Sequence, residues 1–212
     1  MKIALKPIAA ALGTAAALAG VAFPAVAATA LTIQAEAPQT VGPQSESSPC
    51  IIAGTTCQNG SFAYTNFDQS GNVATYDLAS PIYKVSDLPF LQFAVAIDVN
   101  TAMDGEFLNF FTLTDLTTNT VLYTFSQGAL IGAPLANNGN GYADWTLRSF
   151  DLTGLNPNDQ VQFTTKLSNT SDGAESFFLV GTTAPIPEPE TYALMLAGLG
   201  AMSFVAKRRR KQ

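Results

Sequence analysis

The chain carries 16 carboxylate side chains, two cysteines and no histidine. That inventory limits its chemistry. Without histidine the commonest general base and metal ligand is missing, so neither a Ser-His-Asp nor a Cys-His arrangement can be built. No Gly-rich loop is present to cradle a phosphate. A glycosidase needs only two carboxylates, and Asp98, Asp104, Glu106, Asp115, Asp144, Asp172 and Glu175 are available. Their spacing singles out no pair, and most read as solvated turn residues. The chain is expected not to be an enzyme and to need no cofactor. Calcium is the exception that oxygen donors alone could satisfy. Asp98, Asn100, Asp104 and Glu106 form one candidate calcium set, and residues 169–175 are a second oxygen-rich stretch. The first lacks the full twelve-residue EF-hand pattern, and Asp and Asn serve equally well as turn formers. For a sugar, Tyr142 and Trp145 beside Asn137, Asn138, Asn140 and Asp144 offer rings flanked by amides and a carboxylate. Trp145 fits the core of a β domain as readily as a glycan face.

A different chemistry, that of a protease substrate, is written at the C-terminus. Pro187-Glu188-Pro189 precedes an apolar run from Tyr192 to Ala206, which includes Leu194, Leu196, Leu199 and Phe204. Lys207, Arg208, Arg209, Arg210 and Lys211 come next. Prolines 187 and 189 cannot join a helix interior and hold the preceding residues extended, and an exposed extended peptide is what a processing protease cuts. With Thr191 the run is 16 residues long. As a helix it spans roughly 24 Å, against a hydrocarbon core of about 30 Å. Such a span is marginal and suits a temporary anchor. The basic cluster stays on the cytoplasmic side, leaving the body outside.

This end of the chain resembles the PEP-CTERM sorting signal of Gram-negative bacteria that make exopolysaccharide. The resemblance rests on Pro187-Glu188-Pro189-Glu190-Thr191, on Tyr192 to Gly200 and on the basic end, about an eighth of the chain. It implies recognition and cleavage by exosortase, an integral-membrane cysteine transpeptidase.

The N-terminus agrees. Lys2 and Lys6, an Ala-rich apolar stretch from Ile8 to Phe23, Pro24 and an Ala25-Val26-Ala27 site before Ala28 read as a secretory signal cut by signal peptidase. In an exported chain, Cys50 and Cys57 most simply form a disulfide. Between residues 28 and 190 lie all 16 acids but only Lys84, Arg148 and Lys166, a net charge of −13. That charge argues against nucleic acid and anionic lipid as partners.

Residues 28–61 are rich in Pro, Ser, Thr and Gln and read as an extended lead-in containing the cysteine pair, with one strand around Leu31 to Ile33. Beyond them β-formers alternate between turn signals. Strands are expected at 62–67, 73–78, 91–99, 107–115, 121–126, 145–152, 161–167 and 176–182. In the third, Phe93, Val95, Ile97 and Val99 share a face. In the sixth, Trp145, Leu147 and Ser149 share one side while Thr146, Arg148 and Phe150 share the other. Phe110-Phe111 and Phe177-Phe178 each put one ring into the core. The expected fold is all-β, an antiparallel, jelly-roll-like β-sandwich with an N-terminal signal helix and one C-terminal transmembrane helix. The last strands are similar to those of galactose-binding-like and carbohydrate-binding modules. The expected organisation is a signal peptide (1–27), the lead-in (28–61), the sandwich (62–184) and the sorting signal (185–212).

The expected function is that of a non-enzymatic exported protein. It passes an inner-membrane stage and ends in the cell envelope or extracellular polysaccharide matrix, where its role is structural or adhesive. The alternative is a carbohydrate-binding module with a defined glycan ligand.

Overall fold

The structure is a computed structural model that describes residues 27–54, 57–67, 73–99, 105–132, 141–170 and 174–182. The expected signal and transmembrane helices lie outside these residues. Among the described residues there is no α-helix, and no helix long and apolar enough to cross a membrane.

The thirteen described strands form two sheets. The first contains β1 (Thr29–Ala30), β5 (Val73–Ala79), β6 (Tyr83–Lys84), β8 (Phe107–Asp115), β9 (Thr120–Phe125), β10 (Ala129–Leu130) and β12 (Gln160–Thr170). Its main order is β1-β9-β8-β12-β5, with β10 on β8 and β6 on β12. The second contains β2 (Ile33–Ala35), β3 (Cys50–Ala53), β4 (Thr65–Asn66), β7 (Gln92–Asp98), β11 (Trp145–Asp151) and β13 (Ser176–Gly181), in the order β2-β11-β7-β13-β3-β4.

Period-two patterning explains the long strands. In β12, Val161, Phe163, Thr165 and Leu167 are buried while Gln162, Thr164 and Lys166 are only partly so. Strand β7 is central and buried on both faces. Phe93, Val95 and Ile97 enter the main core, and Ala96 packs on the outer side. Rings bridge the sheets. Phe111 of the first sheet lies 5.9 Å from Phe177 and 6.2 Å from Phe150 of the second, and Phe163 lies 6.1 Å from Phe93. The two inner faces therefore meet as a sandwich around one aromatic core.

Three expectations need correction. The sheets are mixed rather than purely antiparallel, because β1 runs parallel to β9 and β3 parallel to β4. Both exceptions involve a two-residue strand reached by a long connection, the only way a parallel neighbour can be placed. The segment 28–61 does more than lead in: it contributes β1, β2 and β3, and Leu31, Ile51 and Ile52 are buried in the main core. Finally, Phe150 shares the core side with Trp145 and Leu147. Leu147 faces Val95 and Phe150 faces Phe93, so Arg148 and Ser149 together oppose Ala94. This β-bulge, with Ser149 at φ 76°, flips the alternation. It lets Phe150 stack on Phe93 at 4.9 Å.

Candidate functional site

The outer face of the second sheet carries the cysteine pair. Cys50 and Cys57 form a disulfide. With Ala53, Ala96, Ala143 and Phe178 they make a second apolar cluster, against which Val41 and Tyr64 pack. Phe177 fills the main core, and Phe178, one residue on, is buried in this second cluster. Asn59 fixes the arrangement. Its carbonyl oxygen accepts from the Cys50 N–H (2.8 Å), and its amide donates to the Cys50 carbonyl (2.8 Å) and the Phe62 carbonyl (3.2 Å). One side chain thus acts as a substitute strand neighbour.

Asp115 is buried at the finish of β8, where it accepts from the Thr117 and Thr118 N–H groups. The other described candidate carboxylates gather at the opposite end of the sandwich, where β7 and β12 finish and β8, β11 and β13 begin. Asp98, Glu106, Asp144 and Glu175 are all buried there. Asp98 accepts hydrogen bonds from the Gln44 amide and the Gly141 N–H, both at 2.8 Å, and Asp144 accepts from the Val99 N–H at 2.9 Å. Burial pushes the Asp98 carboxyl up to about 6, helped by the nearby Asp144 charge and opposed by the two donors. Asn100 and Asp104, the other half of the candidate calcium set, lie outside the described residues. Among the described residues no three His, Cys, Asp or Glu side chains are grouped to hold a metal. Of the three described basic side chains, Arg148 pairs with Glu36, whose N–H donates to the Asp144 carbonyl, Lys166 pairs with Asp77 at 3.4 Å, and Lys84 lies on β6 at the other end.

Of the candidate sugar residues, Trp145 packs against the main core and its indole N–H donates to the Ile131 carbonyl (2.9 Å). Tyr142 is partly exposed, with its ring edge beside Gly42. Asn137, Asn138 and Asn140 lie outside the described residues.

The opposite end carries both exits of the chain. The Thr182 N–H donates to the Gln92 carbonyl (3.0 Å), the last described contact before the tail. Gln92 pairs with Asp151, and the Asp151 backbone N–H and carbonyl both bond the Tyr123 hydroxyl (2.9 and 2.8 Å). Tyr123 in turn pairs with Thr29, two residues after Ala27. Contacts thus link the start of the described body to its finish. Between them lies a groove of about 170 Å³ lined by Ala27, Thr29, Val121, Tyr123, Asp151 and Leu155, among others. Hydrogen bonds from Thr153 and Gln92 hold the exposed Asp151 carboxyl below the usual range. The proximity of the two exits was not legible from the sequence, because pairing partners far apart in the chain create it.

The residues beyond Thr182 carry the family likeness. Residues 185–211 match the PEP-CTERM protein-sorting motif. No curated protein and no solved structure matches the chain. The PEP-CTERM match takes in Pro187, Glu188 and Pro189, the apolar run and the basic cluster as far as Lys211. It implies an exported protein processed at the membrane by exosortase. The PEP-CTERM residues lie outside the described part of the structure, as do residues 1–26, Ala25 of the expected signal cleavage site among them, whereas Ala27 and Ala28 are described. The match begins three residues beyond Thr182, so the signal comes after the sandwich with almost no linker.

Proposed function

We propose that this is a non-enzymatic exported protein whose β-sandwich is the cargo and whose tail is a removable address. A secretory leader is cut after Ala27, and exosortase then cuts near Pro187-Glu188-Pro189. The body is delivered to the cell envelope or the extracellular polysaccharide matrix, where it serves as a structural or adhesive domain. The observation that carries this reading is the PEP-CTERM match at 185–211, directly after the last described strand of the sandwich. The −13 charge of residues 28–190 supports a soluble, exported cargo over a nucleic-acid or anionic-lipid binder.

A second reading is a carbohydrate-binding module. The wiring of the eight main strands favours it. β3, β13, β7 and β11 form one sheet, β5, β12, β8 and β9 the other, and the chain alternates between them except at the β8–β9 hairpin, as in a jelly roll. A fold shared with sugar-binding modules is an analogy and names no ligand. The intact mass of protein recovered from cells and medium tests the main reading. A species running from Ala28 to the Pro187–Glu190 region supports it, and a species retaining Lys207 to Gln212 refutes removal of the tail. Binding to a neutral or acidic glycan, lost in Tyr142→Ala, would favour the second reading.

A further inference from the structure

The end of the sandwich from which the chain leaves carries an apolar strip with an anionic centre. Leu91 and Val121 are each 40% exposed. Both neighbour Leu152, which is itself buried: its N–H donates to the Leu91 carbonyl (2.8 Å), and it lines the groove with Val121, Leu155 and Asp151. The tail starts beside this strip, because Thr182 is bonded to Gln92, the neighbour of Leu91.

We propose that this strip is the surface on which the tail-cutting membrane peptidase docks; the proposal rests on the sorting function above. Pro187 is five residues beyond Thr182, so even a fully extended chain places it within about 18 Å of the sandwich. A peptidase whose catalytic centre reaches Pro187-Glu188-Pro189 must bring its body against this end. Exposed Leu91 and Val121 then gain burial from a protein partner, and Asp151 selects a partner that presents a cation or hydrogen-bond donor. Asp151 and the acidic body disfavour an anionic bilayer as the occupant.

The test is a pulse–chase of the full-length precursor in cells that express exosortase, tracking loss of the tail. Leu91→Glu with Val121→Glu should slow cleavage about tenfold, the effect of losing roughly 1.4 kcal/mol of contact, while the unfolding midpoint of the secreted body holds. If the Glu pair perturbs folding, Leu91→Ser with Val121→Thr probes the same strip and should also slow cleavage. Cleavage at the wild-type rate in a folded variant overturns docking and leaves sorting intact. A wild-type precursor that exosortase never cuts overturns both, and Pro187→Ala, which should block cleavage without touching the strip, separates motif from surface. Binding of the purified body to phosphatidylethanolamine–phosphatidylglycerol vesicles, lost in the Glu pair, would reassign the strip to lipid.

Discussion

Asn59 shows how much one buried amide can do in a loop. It satisfies the N–H and the carbonyl of Cys50 together, at the first residue of β3. Asn59→Ala would strand both groups away from water, at about 1–3 kcal/mol each. The variant is expected to lose about 3 kcal/mol in urea unfolding; a loss under about 1 kcal/mol would mean that Cys50 finds other partners. Asp98 acts in the opposite direction. Its folded carboxyl titrates near 6 instead of 3.8, so the folded protein holds the proton more tightly than the unfolded chain. Its stabilising contribution is therefore complete below pH 3.8 and is lost as pH rises through 6. In calcium-free buffer, wild type should gain up to roughly 3 kcal/mol relative to Asp98→Asn between pH 7 and pH 4. A difference that stays flat across that range would contradict the assignment.

At the scale of elements, the bulge in β11 and the cysteine loop on β3 each carry a prediction. Ser149 sits at φ 76°, which strains any residue with a Cβ and least of all glycine. Ser149→Gly should raise stability by up to about 1 kcal/mol, and Ser149→Val should lower it. Matched thermal melts read both, and an unchanged Val variant would argue against the strain. Reducing the Cys50–Cys57 bridge releases a short loop, which in the chain-entropy picture costs about 2.5 kcal/mol. The double Cys→Ala variant should also loosen the packing of Phe178, which shares the cysteines' cluster, and expose it. Increased binding of a hydrophobic dye would show that exposure; an unchanged signal would mean that Val41 and Tyr64 suffice as a lid.

For the whole molecule, the notable feature is that the start and the finish of the described body share one end, with Asp115 and Asp151, while the buried Asp98, Glu106, Asp144 and Glu175 occupy the other. A chain tethered at its first or last residue would present the Asp98 and Asp144 end away from the membrane. The last described ladder contact is at Thr182, so removal of everything beyond it takes no described strand from either sheet. A version ending at Thr182 should unfold at the same midpoint as the full body; a fall of several degrees would show that the tail contributes to the fold.

Much of this was legible in the sequence because it depends on local pattern. Alternating Val161, Phe163 and Leu167 predict a half-buried strand, and the order of Pro-Glu-Pro, apolar run and basic cluster needs no fold to be recognised. Strand β3 was missed because Cys50-Ile51-Ile52-Ala53 is a four-residue run buried on both sides, with no alternation to mark it. Phe150 was assigned to the wrong face because a bulge breaks the period, and nothing local in Arg148-Ser149 announces one. The sequence by itself determined the β class, the acidic character of the body, the cysteine pair and the sorting tail. Only the tertiary structure decided the parallel edge pairings, the burial of Asp98 and the shared end of the two exits. Those properties arise when residues tens of positions apart compete for the same neighbours and the same water, and no local spacing encodes the outcome.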